Sequence, residues 1–354
     1  MVNTVQKAVN GLARAVIIAE AGVNHNGDAK LAKELVQAAH DAGADCVKFQ
    51  AFAASRLATR GTPKVPYQVA GTDRCESHYE MLEKLELSFE DQRAIKEYCE
   101  SVGITFCSTP YGVEDARFLH SIGVKFFKTA SADLVDAPMH RFIAATARPV
   151  VISTGMATLA EIEQVLSIYS EAGARDNVVL LHCVSNYPAD INNVNLRVMR
   201  TLETAFACSV GFSDHTSTLA SAVAAVALGA TVIERHLTLD KCMSGPDHRA
   251  SSDPGELAAL VRMIREVEAA LGDGVKRVAK EEQEMRRISR KSVVAATDIP
   301  KGAVVTSRQL TLKRPGDGLA PGELESICGC RAKEDIPADT LISWSMVEGD
   351  ALEA

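Results

Sequence analysis

The sequence has no excess of positive charge. Its 38 Lys and Arg stand against 46 Asp and Glu, a formal net charge of −8 over 354 residues. Nucleic-acid binding rests on a positive field over the phosphates, so no nucleic-acid partner is expected. A small anionic substrate stays open, because a few placed cations can hold one locally. No apolar run approaches the roughly 20 residues of a membrane span, and residues 1–14 carry no secretory cleavage pattern. The nine cysteines have no regular spacing. Cys46, Cys107 and Cys183 sit inside apolar runs and read as buried thiols. Cys328-Gly-Cys330 is too tight for a zinc pair and has no second pair nearby. These absences lead us to expect a soluble, cytoplasmic chain with no membrane partner. Also missing are a Gly-x-Gly-x-x-Gly turn after the first apolar run and any P-loop spacing, which removes the usual nucleotide fingerprints.

What is present is alternation. Hydrophobic residues make up 47% and charged residues 24%, a globular balance. Strand-like runs at 15–20, 46–50, 105–108, 125–128, 149–153, 178–183, 208–212 and 231–234 alternate with helical stretches, among them 29–42, 89–101, 161–172, 219–228 and 254–270. Eight such repeats predict an α/β chain folded as a (β/α)8 TIM barrel rather than an open doubly wound sheet. Residues 51–83 break the rhythm, as a functional lid or a disordered loop would. After about Lys276 short strands with Pro and Gly turns predict a small β-rich domain. The expected division is barrel 1–280, linker 281–290 and small domain 291–354.

In such a barrel the site is built at the C-terminal strand ends. Each apolar run here ends in polar groups: Glu20; Lys48 and Gln50; Ser108-Thr109; Lys128 to Ser131; Ser153-Thr154; His182 to Tyr187; Ser213-Asp214-His215; and Glu234-Arg235-His236. Lys48 and Lys128, with Ser131, Ser153 and Ser213, could line a phosphate or carboxylate site. They could equally be ion-paired to Glu20 or Glu234. His215 and His236, on neighbouring strand ends with Asp247 near, suit a divalent metal with open positions; two hydrogen-bonded core histidines are the alternative. His25 and His182 are weaker ligand candidates. Glu20 and Glu234 are the plausible acid–base pair.

These residues resemble the N-acetylneuraminate (sialic acid) synthases and their legionaminate relatives. The matching stretches include Ile17-Ile-Ala-Glu-Ala-Gly-Val-Asn-His-Asn-Gly27, Val47-Lys-Phe-Gln50, Ser108-Thr-Pro-Tyr111, Gly211-Phe-Ser-Asp-His215, Val232-Ile-Glu-Arg-His236, Ser244-Gly-Pro-Asp-His248 and Lys313-Arg-Pro-Gly316. The resemblance implies an antifreeze-like (SAF) domain after the barrel and a homodimer in which that domain is swapped. It implies phosphoenolpyruvate on Lys48, Lys128, Ser131, Ser153 and Ser213. The sugar would meet Gln50, Tyr187, Asp247 and, from the other subunit, Arg314. Metal would sit on His215 and His236, typically manganese, with magnesium or cobalt as alternatives. Asp133 stands where relatives usually have Glu, keeping a carboxylate of shorter reach for a catalytic role. Ser185 stands where some have Asn, and Ala51 where Thr often follows.

The implied reaction condenses phosphoenolpyruvate with N-acetylmannosamine and water, giving N-acetylneuraminate and phosphate by C–O cleavage. A 2,4-diacetamido-2,4,6-trideoxymannose acceptor, giving legionaminic acid, is the alternative. A class I aldolase with a Schiff-base lysine and a non-enzymatic sugar-binding protein are the rivals from other classes.

Overall fold

The computed structural model describes residues 3–9, 13–73 and 75–349. They form two compact units that divide after Gly272. The region expected to be a linker, 281–290, contains a helix and lies within the second unit.

The first unit holds eight strands: β1 (Val16–Gly22), β2 (Cys46–Ala51), β3 (Thr105–Pro110), β4 (Phe127–Thr129), β5 (Val150–Ser153), β6 (Val178–Cys183), β7 (Ser209–Asp214) and β8 (Val232–His236). Their order in the sheet is 3-2-1-8-7-6-5-4, and the ladders between named strands are all parallel. The first and last strands are therefore neighbours, as closure of a (β/α)8 barrel requires. Predicted and observed strands agree to within two residues at each end. The helices are α1 (Thr4–Val9), α2 (Ala29–Asp41), α3 (Ala54–Leu57), α4 (Pro66–Gly71), α5 (His78–Leu85), α6 (Phe89–Val102), α7 (Val113–Ser121), α8 (Ala137–Ala145), α9 (Leu159–Glu171), α10 (Val198–Phe206), α11 (Ala220–Ala227) and α12 (Pro254–Leu271).

Local chemistry places the helix ends. The Ser88 hydroxyl accepts from the amide of Asp91, whose carboxylate accepts from the Ser88 amide, a reciprocal start for α6. Gly103, at φ 86°, ends it in the left-handed conformation that a side chain would resist. Helix α2 turns Ala32, Leu35, Val36 and Ala39 inwards, at the spacing of one buried helical stripe.

The period of two along each strand separates two cores. Ile17, Ala19, Val47, Phe49 and Ile152 pack outwards under the helices. Val16, Ile18, Cys46, Cys107, Phe126, Val151, Val179, Leu181 and Val232 fill the barrel axis. Helix α1 supplies a wholly buried Val5 to that inner cluster and so stoppers one end of the barrel. One step up from these apolar residues the same inner face carries Glu20, Lys48, Thr109, Lys128, Ser153, Ser213 and Glu234. The axis is thus apolar at one end and ionic at the other.

Residues 52–85 fold into α3, α4 and α5. Short helices broken by Gly and Pro have no sustained periodicity, so they escaped a pattern reading. Lys64 fastens this segment, donating to Thr72 Oγ1 (2.9 Å), the Asp73 carbonyl (2.8 Å) and Glu76 Oε1 (2.9 Å). The Gly71 carbonyl accepts from the Gly245 amide at 3.1 Å, and a Cβ on Gly71 would stand 2.6 Å from the Gly245 oxygen. That close approach pins α4 to the loop after β8.

The second unit contains α13 (Glu282–Ser289), β9 (Ser292–Ala295) antiparallel to β10 (Leu310–Lys313), α14 (Leu324–Ile327), and β11 (Arg331–Ala332) antiparallel to β12 (Val347–Glu348). It has its own core of Val293, Ile299, Val305, Ile327, Ile336 and Ile342.

Candidate active site

The ionic end of the axis opens into a cavity of about 630 Å³, within the usual range for a small-ligand site. Strand register builds its floor. Glu20 on β1 is level with Lys48 on β2 and with His236 on β8, and Ser213 on β7 is level with Glu234 on β8. Lys48 Nζ lies 2.7 Å from Glu20 Oε2 and 3.9 Å from Glu234 Oε2, and donates to Thr109 Oγ1 at 2.8 Å. Lys128 Nζ lies 3.5 Å from Glu234 Oε2 and donates to Ser153 Oγ at 2.7 Å. Ser213 Oγ donates to Glu234 Oε1 at 2.9 Å. The alternative of lysines paired to Glu20 and Glu234 is therefore what the ligand-free geometry contains. It does not exclude anion binding, since the same ammonium groups face the cavity.

Two like carboxylates beside two lysines are driven apart electrostatically. Burial raises Glu20 to about 7, against the opposing pull of Lys48 and with the help of Glu234. Burial pushes Glu234 up as well, but Lys128 and Lys48 outweigh it and hold that group low. One carboxyl thus exchanges its proton near neutrality while its neighbour stays ionised, the separation an acid–base pair needs. Lys48 is raised: burial alone would lower it, but Glu20 and Glu234 prevail.

The Ser131 hydroxyl accepts from the Gly155 amide at 3.0 Å and touches Cys183 Sγ at 3.1 Å. A Cβ on Gly155 would lie 2.9 Å from Ser131 Oγ and 2.3 Å from Ser185 Oγ, so only glycine lets these two side chains pack against the backbone here. Gln50 bridges the cavity wall, donating to Glu20 Oε1 and accepting from the Tyr111 hydroxyl, both at 3.1 Å. The Tyr187 ring lies tilted to those of His215 and Tyr67, with centroids 4.2 and 5.0 Å away.

His215 and His236 have ring centroids 5.5 Å apart. The 2.7 Å contact of His215 Nδ1 with the Val184 carbonyl assigns a proton to Nδ1 and makes Nε2, 3.3 Å from Ser213 Oγ, the nitrogen that carries the lone pair. His236 Nδ1 is buried without a hydrogen-bond partner and lies 3.8 Å from Asp247 Oδ2. Burial lowers both imidazoles, which keeps them neutral, the form that ligates metal. Among the described residues no group of three or more His, Cys, Asp and Glu converges as a metal cage. Two neutral imidazoles are donors of the right kind for a borderline divalent ion that leaves its other positions to water and substrate.

The cavity therefore gathers Glu20, Lys48, Gln50, Lys128, Ser131, Ser153, Tyr187, Ser213, His215, Glu234, His236 and Asp247. Two further residues were proposed for the site. Asp133, in the turn after β4, is half-buried and does not line the cavity; burial raises it to about 6. Arg314 is exposed on the second unit. His182 is held by the Val194 carbonyl at 2.6 Å, and His25 Nδ1 accepts from the Gly27 amide, so neither joins the histidine pair. Thr109, Tyr111, Tyr67 and Cys183 were missed as site residues. For Thr109 the signal was available: on β3 it is two positions from the axial Cys107.

Comparison with known proteins agrees with this geometry. The pattern described as the NeuB family matches residues 35–276, and a SAF domain matches residues 290–348. The N,N'-diacetyllegionaminic acid synthase of Campylobacter jejuni is 45% identical over 93% of this chain and 99% of its own. The chain belongs to the NeuB family. Another relative is the human N-acetylneuraminate-9-phosphate synthase, 37% identical over 96% of this chain and 94% of its own. Among solved structures, the N-acetylneuraminic acid synthetase of Leptospira borgpetersenii in complex with citrate superposes with a TM-score of 0.68. It is 32% identical, covering 77% of this chain and 90% of that one. The barrel of this NeuB-family chain and its SAF domain thus bear out the fold expected from the sequence. No helix among the described residues is long and apolar enough to cross a membrane.

Proposed function

We propose that this chain condenses phosphoenolpyruvate with the aldehyde of a 2-acetamido sugar of the mannose configuration, adding water and releasing phosphate to give a nonulosonic (sialic-type) acid. The observation that carries this is the pairing, in one cavity, of an anion-binding floor with a neutral histidine pair. Lys48 and Lys128, which donate to Thr109 and Ser153, are with Ser213 the groups to receive the phosphate and carboxylate, exchanging carboxylate partners for substrate oxygens. Ser131, which also lines the cavity, offers a further hydroxyl to the phosphoryl oxygens. Tyr187, Gln50 and Asp247 face the space left for the sugar.

In this reading carbon 3 of phosphoenolpyruvate bonds to the aldehyde carbon and cationic character develops at carbon 2. Ionised Glu234 offsets that charge, and water added at carbon 2 leads to C–O cleavage and loss of phosphate. Glu20, which burial raises into the neutral range, is placed to deliver a proton and then act as base. A divalent ion on His215 and His236, manganese first among the choices, would supply Lewis-acid polarisation of the aldehyde oxygen. A Schiff-base aldolase fits less well, since a lysine raised by two carboxylates is a poor nucleophile. The acceptor is N-acetylmannosamine or its 2,4-diacetamido-2,4,6-trideoxy counterpart. The names of the Campylobacter and human relatives point to different ends of that choice. The assembly we propose is a cytoplasmic homodimer with a swapped SAF domain that brings Arg314 to the partner's sugar.

The test is phosphate release from phosphoenolpyruvate with each sugar, followed by product mass. A product equal to both substrates plus water minus phosphoric acid supports the reaction. A borohydride-trappable adduct with pyruvate and no phosphate release would replace it with aldolase chemistry.

A further inference from the structure

The Asp247 carboxylate lines the cavity 3.8 Å from His236 Nδ1, yet it receives no hydrogen bond from the described residues. A functional group without donors of its own keeps its place only if its main chain is held. Two short runs that take no part in the proposed chemistry do the holding, residues 24–26 after β1 and 244–248 after β8. Asn24 and His248 are buried, Asn26 is half-buried, and none of the three lines the cavity. The Asn24 amide group donates to the Leu237 carbonyl at 2.8 Å and to Ser251 Oγ at 2.9 Å. Ser251 Oγ in turn donates to the Asp247 carbonyl at 2.7 Å. A second line of bonds holds the other flank. Thr238 Oγ1 lies 2.7 Å from His248 Nδ1, His248 Nε2 lies 3.3 Å from Asn26 Oδ1, and Asn26 Nδ2 donates to the Ser244 carbonyl at 3.0 Å. A carbonyl only accepts, so Asn26 turns its nitrogen to Ser244 and its oxygen to His248. His248 then donates from Nε2 and accepts at Nδ1 from the Thr238 hydroxyl, as a neutral imidazole does. Burial lowers His248 and so keeps it in that form. Gly245 packs into the same junction, where a Cβ would stand 2.6 Å from His248 Cδ2 and 2.8 Å from Asn26 Oδ1.

We propose that Asn26 and His248, with Asn24, are positioning residues for the acceptor sugar: they fix residues 244–248 and so set where the Asp247 carboxylate stands beside His236. The proposal rests on the condensation reading, in which Asp247 faces the sugar, and adds to it residues that touch no substrate. With Ser244, His248 and its own carbonyl all tied, Asp247 is left only its side-chain torsions. The floor is held by other means. Lys48, Ser213 and Glu234 are set by strand register, and no hydrogen bond joins Lys48, Lys128, Ser213 or Glu234 to Asn26 or His248. Loss of Asn26 or His248 therefore reaches the sugar and spares phosphoenolpyruvate. Asn24 is a less selective probe, because Leu237, which it holds, adjoins His236 and donates its amide to the Glu20 carbonyl at 2.7 Å.

The experiment follows phosphate release from phosphoenolpyruvate by the intact protein with N-acetylmannosamine and with 2,4-diacetamido-2,4,6-trideoxymannose, the better acceptor serving for the variants. Misplacing a contacting group by about 1 Å can cost about 100-fold, so His248→Ala should raise the KM for the sugar about tenfold or more. The KM for phosphoenolpyruvate should stay within about twofold of wild type, since its cations are untouched. In His248→Gln the amide nitrogen can replace Nε2 as the donor to Asn26, and the sugar KM should return to within about threefold of wild type. Asn26→Gly removes the side chain while tolerating the left-handed backbone at that position, φ 50°. It carries the same expectation as His248→Ala should that variant fail to fold. An unchanged sugar KM in a folded variant, a rise of both KM values together, or no recovery in His248→Gln overturns the proposal and leaves the condensation standing. Wild-type protein that releases no phosphate with either sugar removes the condensation reading and the proposal with it.

Discussion

Removing the Arg235 side chain should show how strongly a buried ion pair between β7 and β8 is coupled. Asp214 and Arg235 are paired across the β7–β8 ladder, and their side chains point away from the cavity into the layer below the helices. Arg235 NH1 lies 2.9 Å from Asp214 Oδ2, with side-chain exposures of 3% and 0%. Asp214 also accepts from the Thr216 amide and Ser221 Oγ, each at 2.9 Å. Arg235 donates to Ser252 Oγ at 2.9 Å and the Thr218 carbonyl at 3.2 Å. At an effective dielectric near 20 the pair's direct attraction is about 6 kcal/mol, most of it offset by desolvation. Breaking one partner is the asymmetric case: Arg235→Met leaves Asp214 charged and buried, at a cost of about 3–5 kcal/mol. Asp214→Asn/Arg235→Met removes both charges and should recover at least 1–2 kcal/mol of the summed single losses. Urea unfolding followed by far-UV circular dichroism is the suitable assay, because the sole tryptophan, Trp344, lies in the second unit and its fluorescence would report that unit instead. A single-mutant loss below about 1 kcal/mol, or strict additivity in the double mutant, would refute the coupling.

Glu20 is raised from 4.5 to about 7 chiefly by burial, so between those values the folded chain holds a proton that the unfolded chain has released. Stability should therefore fall as pH rises through that window, and Glu20→Gln should flatten the fall. An unaltered slope in urea titrations at pH 5 and pH 7.5 would contradict the assignment. His215→Ala and His236→Ala should each abolish manganese-dependent stabilisation in a thermal shift read without substrate; a retained shift in both would place the metal elsewhere. Arg314→Ala should lower turnover tenfold or more while leaving the circular dichroism spectrum intact, and a wild-type rate would remove that arginine from the sugar site.

The barrel was legible because its signal is repeated eight times, and a missed boundary in one strand changes nothing in the count. The site was legible for a related reason: a lysine ending an apolar strand has few places to go. The sequence also left open whether Lys48 and Lys128 were paired or free. Only register settles that, by setting Glu20 level with Lys48 and bringing Glu234 within 3.9 Å of both ammonium groups. Reading whole strand ends as polar clusters also merged two faces. In Ser213-Asp214-His215 and Glu234-Arg235-His236 the outer members of each triplet face the cavity and the central ones face the helices. Period-two alternation along each strand contains that division. Helix α1 was missed because a single buried valine in a six-residue helix leaves no periodic trace.

The two halves of the cavity differ in what holds them, and that bears on how such a site can change. Lys48, Lys128, Ser153, Ser213 and Glu234 stand on strands whose register fixes them to one another, so altering one disturbs a charge balance shared by all. The wall opposite is carried by α3, α4 and α5, between strands, where a side chain can be exchanged without moving the ladder. Met81 and Leu82 touch the barrel floor through none of the hydrogen bonds or ion pairs that set its protonation. A chain built in this way can keep the condensation chemistry constant while the identity of the acceptor is rewritten in a few lid residues. The wall residues stand in α3 and α5, between strands, which is also where the sequence pattern is weakest.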